Sequence, residues 1–106
     1  NPYVPLEVDG DWGRGTTRAL QHCLKEKYNA WGISAPLVVD GLEGENTYRA
    51  LQRVLNQEGN YNLREDGIAG PATKRALQHY LRVRVDGIWG AATNRALQTR
   101  LNNDSF

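Results

Sequence analysis

Val85-Asp86-Gly87-Ile88-Trp89-Gly90-Ala91-Ala92-Thr93-Asn94-Arg95-Ala96-Leu97-Gln98-Thr99-Arg100-Leu101 is a unit that this chain repeats. An earlier copy reads Val8-Asp9-Gly10-Asp11-Trp12-Gly13, then Thr16, Arg18-Ala19-Leu20-Gln21 and Leu24. A second has Val39-Asp40-Gly41, Gly44, Thr47, Arg49-Ala50-Leu51-Gln52 and Leu55. A third has Asp66-Gly67, Gly70, Thr73, Arg75-Ala76-Leu77-Gln78 and Leu81. The shared pattern is D-G-x-x-G-x-x-T-x-R-A-L-Q-x-x-L, without a gap in any copy. A fixed internal pattern decides how the whole chain is read.

Positions are counted from the Asp as zero. Thr at +7, Ala at +10, Leu at +11 and Leu at +15, with the residue at +14, form one stripe of an α-helix. Pro71 stands at +5 in repeat three, and proline suits the first helical position. The Gly at +4 is therefore the expected N-cap. Glu45, also at +5, suits the positive end of the helix dipole. Each unit reads as a glycine turn followed by a helix of about eleven residues, roughly 16 Å long. The Gly at +1 is expected at positive φ, and the Asp carboxylate is expected to accept N–H groups of its own turn. Val at −1 is expected to pack on the following helix as a staple. Gln at +12 lies at the edge of the stripe, where it can bond a neighbouring loop. Arg at +9 lies nearly opposite the stripe, with no packing reason to recur.

The chain has 106 residues, a net charge of +1 and one Cys. That length suits one domain or two very small ones. Balanced charge implies no nucleic-acid or other polyanion partner. Ten of the thirteen basic residues are Arg, which favours planar recognition of carboxylates. Cys23 sits at +14 and is expected as a buried thiol. No apolar run is long enough to span a bilayer. The chain begins at Asn1 without Met, and it is read as a fragment of a larger protein. Helices are expected over about Arg14–Tyr28, Glu45–Gln57, Pro71–Arg82 and Ala91–Asn102. Asn1–Leu6 is expected as linker, Asn29–Leu37 as a long connection anchored by Trp31, and Asn103–Phe106 as a frayed tail. No segment alternates as a sheet strand does. The fold class is all-α.

Asp86-Gly87-Ile88-Trp89-Gly90-Ala91-Ala92-Thr93 with Ala96-Leu97-Gln98 resembles the repeat of the peptidoglycan-binding domain of bacterial and phage cell-wall hydrolases. Asp66-Gly67-Ile68-Ala69-Gly70-Pro71-Ala72-Thr73 with Ala76-Leu77-Gln78 is similar. The family is a small three-helix domain. Four full signatures here suggest two fused helical-bundle modules, Asn1 to Asn62 and Leu63 to Phe106. The resemblance implies non-catalytic attachment to murein, beside a lytic domain such as an endolysin, muramidase or amidase. That catalytic domain is expected N-terminal to Asn1, and the protein is expected to be a monomer, secreted or phage-delivered to the cell wall. No cofactor, metal or membrane contact is expected. The alternative class is a helical repeat array that grips another protein.

The Asp at position zero could be a catalytic carboxylate, but its recurrence in every copy fits a turn cap. Asp9-Gly10-Asp11 lacks the later oxygen ligands of a calcium loop. His22, Cys23 and His79 do not make a four-ligand zinc pattern. Trp12 and Trp89 carry more information. They share position +3, where Glu43 and Ala69 stand in the other copies, so the unit does not need an aromatic there. A flat ring with a polar handle suits a sugar. The other reading is that each Trp caps its own module's core, and both remain open at this point. The expected ligand site comprises Trp12 and Trp89, each with a shallow groove bordered by its turn Asp (Asp9, Asp86) and helix start. Arg14 and Tyr48 are added as neighbours. The motif residues Arg18, Arg49, Arg75 and Arg95 either pair with stem-peptide carboxylates or serve as helix formers on a wet face.

Overall fold

Each helix begins at motif position +5. In the computed structural model, which describes Asn1 to Phe106, α1 is Arg14–Ala30, α2 Glu45–Gly59, α3 Pro71–Leu81 and α4 Ala91–Asn102. There is no strand, and the fold is all-α. Gly13, Gly44, Gly70 and Gly90 are the N-caps, all extended and without a side chain to cap with. The +1 glycines Gly10, Gly41, Gly67 and Gly87 lie at φ +77°, +77°, +76° and +78°. A Cβ there would be strained, and at Gly67 it would also run into the side chain and carbonyl of Glu45.

The helices touch in a closed ring: α1 on α2, α2 on α3, α3 on α4, and α4 back on α1. Diagonal pairs do not pack. The motif Leu residues from all four helices meet in one core, joined by Tyr28, Leu37, Val54 and Phe106. Every motif Thr, Ala and Leu is buried except Ala96, which is half-buried.

The ring is closed by the +12 glutamines, all four about 1% exposed. Gln21 reaches into the turn of repeat two. The two hydrogens of its Nε2 are shared among three acceptors, Asp40 Oδ1 (3.0 Å), the Leu42 carbonyl (2.9 Å) and Thr47 Oγ1 (2.9 Å). Its Oε1 accepts the N–H groups of Asp40 (3.1 Å) and Gly41 (2.9 Å). Gln52 holds Asp66, Gly67, Ile68 and Thr73 of repeat three, with Oε1 accepting the N–H of Gly67. Gln78 holds Asp86, Gly87, Ile88 and Thr93 of repeat four. Gln98 closes the circle on repeat one, at Asp9, Gly10, Asp11 and Thr16. The motif Arg has a packing role after all: the stems of Arg18, Arg49 and Arg75 lie over Gly41, Gly67 and Gly87 of the next turn.

Two of the four junctions carry a second clasp. Asn56 exchanges two hydrogen bonds with the backbone of Leu63, and Asn102 does the same with Leu6. The expected boundary at Asn62–Leu63 falls at one of these doubly clasped junctions.

Three local expectations are corrected. The Val at −1 is not a staple, since Val8 and Val85 are exposed. The −3 residues Leu6, Leu37, Leu63 and Val83 pack on the core instead, because two residues further back the chain still runs beside the preceding helix. The segment Asn1–Leu6 is irregular but pinned, at Leu6 by Asn102 and at Asn1 by a bond to the Ala19 carbonyl. The tail is docked rather than frayed: Phe106 is buried edge-on to Tyr80 (5.4 Å), and its carbonyl accepts the Tyr80 hydroxyl (3.0 Å). Trp31 does pack where expected, tilted against Tyr28 at 5.2 Å, with Leu37 buried beyond it.

Gln98→Ala would leave the buried Thr16 hydroxyl and the Gly10 N–H without their partner. We expect it to cost ~2–4 kcal/mol and to lower the melting temperature by roughly 10–20 °C. Gln98→Glu keeps the acceptor but loses the donors and sets a second carboxylate beside Asp9, so it should melt at least as low at neutral pH. Melting followed by circular dichroism checks both. An unshifted melt for Gln98→Ala would mean that the ring closes by core packing alone.

Candidate functional site

Ring closure brings together residues from all four repeats at positions +3 and +8. Trp12 and Trp89 stack on each other, with centroids 4.9 Å apart and planes 23° off parallel. Tyr48, at +8 of repeat two, tilts against Trp89 at 6.1 Å. Lys74, at +8 of repeat three, holds its ammonium 5.7 Å from the centre of the Trp89 ring, within reach of a cation–π attraction. The indole N–H of Trp12 donates to Thr17 Oγ1 (3.1 Å), and that of Trp89 to the Lys74 carbonyl (3.3 Å). Such a cluster forms only where a ring of four converges, since the diagonal helices do not otherwise touch.

Of the six residues expected in the site, Trp12, Trp89 and Tyr48 meet. They meet as one aromatic group, which replaces the expectation of two separate grooves. Asp9 and Asp86 are engaged in their own turns: Asp9 Oδ1 accepts the Asp11 N–H (2.9 Å) and Gln98 Nε2 (3.0 Å), and Asp86 Oδ1 accepts the Ile88 N–H (3.0 Å) and Gln78 Nε2 (2.8 Å). Arg14, the first residue of α1, lies close enough to the turn of repeat two for its charge to act on Asp40. A concavity of about 290 Å³ does border Asp86 and the start of α4, but Trp89 does not line it.

Lys74, Glu43 and Asn94 were not singled out in the sequence. Glu43 accepts the Tyr48 hydroxyl (3.0 Å). Burial first, and the Glu43 carboxylate second, push the Tyr48 phenol up, so it stays protonated and donates. Asn94 is buried, gives its Nδ2 to the Gly10 carbonyl (3.0 Å), and has no partner at Oδ1. The signal was present: Thr17, Tyr48, Lys74 and Asn94 share position +8, one helical turn in from the start, and the first three each meet a +3 residue.

Burial pushes the Cys23 thiol up to about 11, which keeps it out of the nucleophilic thiolate form. His22 faces Glu26 at 3.2 Å, while His79 bonds Tyr61. No three His, Cys, Asp or Glu side chains converge.

Residues 44–97, just over half the chain, match the family model described as "Putative peptidoglycan binding domain". The chain belongs to the peptidoglycan-binding domain family. Among curated proteins and among solved structures, nothing matches it. The matched span opens at the N-cap of α2 and closes within α4. It thus takes in three helices of the peptidoglycan-binding domain, with Tyr48, Lys74 and Trp89, and crosses the Asn62–Leu63 junction. Helix α1 and Trp12 lie outside it and complete the ring. Membership makes this a binding domain and sets it in a cell-wall context. No helix is long and apolar enough to cross a membrane.

The turn carboxylates make the peptidoglycan-binding domain acid-sensitive. In Asp9, Asp40, Asp66 and Asp86 the backbone N–H two residues on, and then the clasping Gln amide, hold the carboxyl below its ordinary value of 3.8. A group with a lowered folded pKa contributes stability above its unfolded value, and that contribution is lost as pH falls through the folded one. The melting temperature should be nearly level above about pH 5 and fall progressively below about pH 4. Asp40→Asn keeps an acceptor for the Leu42 N–H and should flatten part of that fall. Melts of both proteins across this range check the prediction, and parallel acid profiles would refute it.

Proposed function

We propose that this chain is a non-catalytic anchor that binds murein and holds an attached lytic domain, such as an endolysin, muramidase or amidase, against it. We further propose that the Trp12–Trp89–Tyr48 group is its sugar-facing surface, on a monomer working outside the cell. One observation carries the second proposal. Two of the four +3 positions hold Trp where the other two repeats form the same turn and helix start with Glu43 or Ala69, and those two Trp residues converge. A stacked pair rimmed by Lys74 and Glu43 offers apolar faces for sugar C–H groups and charged ends for hydroxyls. Trp12 has only one aromatic neighbour, so it is the ring assigned to the sugar. Trp89 supports it from behind. Asp9 and Asp86 then act indirectly, by fixing the turns that carry the two rings, and Arg14 supplies positive charge one residue beyond the +4 Gly.

The rival reading, a repeat array that grips another protein, finds less support. Open arrays bind on an extended concave face, and a closed ring has none.

Pull-down on purified sacculi tests the proposal. Trp12→Ala should lose most sacculus binding while melting within a few degrees of wild type. Trp89→Ala should lose binding and also melt roughly 5–10 °C lower, because it removes the stacking partner and two further contacts. The double variant should bind little worse than Trp89→Ala alone, since both substitutions break one stack and neighbouring effects do not add. If Trp12→Ala binds sacculi as wild type does, the pair belongs to the core and the sugar-facing assignment fails. If the wild-type chain is not captured at all, murein binding fails with it.

A further inference from the structure

The largest concavity lies away from the aromatic group, between the α2–α3 connection and α3, with a volume of about 420 Å³. Its floor is aliphatic: Leu63, Ala72, Ala76 and Val85. One wall is Tyr61, edge-on to His79 (5.5 Å) and bonded through its hydroxyl to His79 Nδ1. That wall is held in place, because the Tyr61 ring folds back over Gly59, where any side chain would collide with it. Arg75 stands at the rim, exposed and in no ion pair.

The surroundings favour an anion. Of the residues that line the groove, Arg75 carries the one fixed charge and none is an acid. The acids of the adjoining loop are engaged, Glu65 with Arg53 and Asp66 with Gln52 and its own turn. A planar guanidinium beside a small apolar floor matches a carboxylate next to methyl-sized side chains, and a fork-to-fork pair supplies the geometry. A sugar would find a single aromatic there, edge-on and already bonded. Of the four motif arginines only Arg75 lines a concavity.

We propose that this groove is a second subsite that takes the free carboxylate end of a short aliphatic peptide, namely the stem peptide of murein, with Arg75 as the carboxylate receptor. The assignment to murein's own peptide rests on the function proposed above, whereas the carboxylate chemistry does not.

Amide-shift titration with D-alanyl-D-alanine, its C-terminal amide and an N-acetylglucosamine oligomer tests the proposal. The free acid should move the amides of Ala72, Arg75, Ala76 and His79, and the C-terminal amide should bind roughly tenfold or more weakly. Arg75→Gln should lose about the same factor and Arg75→Lys somewhat less, since Lys keeps the charge but not the fork. Melting curves show that each variant is folded. Trp12→Ala should leave the dipeptide affinity unchanged, and the sugar oligomer should not move these amides. Equal binding of acid and amide, undiminished binding by folded Arg75→Gln, or no shift with wild type overturns the subsite. If sacculi still capture the protein in that case, murein binding stands without it. If the dipeptide binds as described and sacculi do not, the subsite stands and its assignment to murein falls.

Discussion

A buried primary amide is the constraint on which this ring depends. At +12 the side chain must accept one or two backbone N–H groups and share its two amide hydrogens among a carboxylate, a carbonyl and a hydroxyl of the next turn. Only a neutral amide of Gln length has both functions at that reach. Glu lacks the donors, and Asn is one methylene short. Because the amide is buried, any lost partner carries its full desolvation cost. The Asp, the Thr and the +1 Gly are explained by the same contact. Asp Oδ1 and Thr Oγ1 are two of its acceptors, and the Gly presents its N–H from a φ that an L side chain resists. The repeat is thus less a self-contained unit than half of two joints, with its turn serving one neighbour and its helix the other.

The four joints are not identical. The reciprocal Asn–Leu clasp reinforces the junctions from repeat two to three and from four to one, while Lys25 and Arg82 stand at the corresponding positions of the other two. A twofold pattern is therefore superposed on the fourfold one, with the doubly clasped junctions on opposite sides of the ring. The +3 residues follow neither pattern. Trp stands in repeats one and four, which adjoin at the closure, and this is why the two rings can stack.

Much of the local structure was legible before the fold was known. All four helix starts, the glycine caps, the positive φ at +1 and the buried Thr-Leu stripe follow from spacing, because each depends on residues within one unit. Joint partners were not legible in the same way. A Gln at the stripe's edge announces a loop contact, but its own turn and the next turn are both candidates by distance. Nothing local shows that Gln98 reaches Asp9, 89 residues earlier in the chain. The Trp pair was hidden for the same reason: position +3 was marked by its irregular occupancy, but only ring closure puts Trp12 on Trp89. The tail was misread because Phe106 is a single apolar residue without periodicity, and its burial depends on the Tyr80 ring and the rest of the core it joins.

The two proposed subsites are held by different joints, and this bears on how a polymer would be gripped. Trp12 rides on the turn that Gln98 fixes through Asp9 and the Asp11 carbonyl, and Trp89 on the turn that Gln78 fixes through Asp86 and the Ile88 carbonyl. The groove at Arg75 depends on the α2–α3 connection, through Tyr61 over Gly59 and the Asn56–Leu63 clasp. Loosening the closure would disturb the sugar-facing rings first and leave the groove standing. Murein carries glycan and peptide on one strand, so two weak contacts of different chemistry would reinforce each other through effective concentration. Neither subsite then needs to be deep, which agrees with a site made of half-buried rings and an open groove rather than an enclosed pocket.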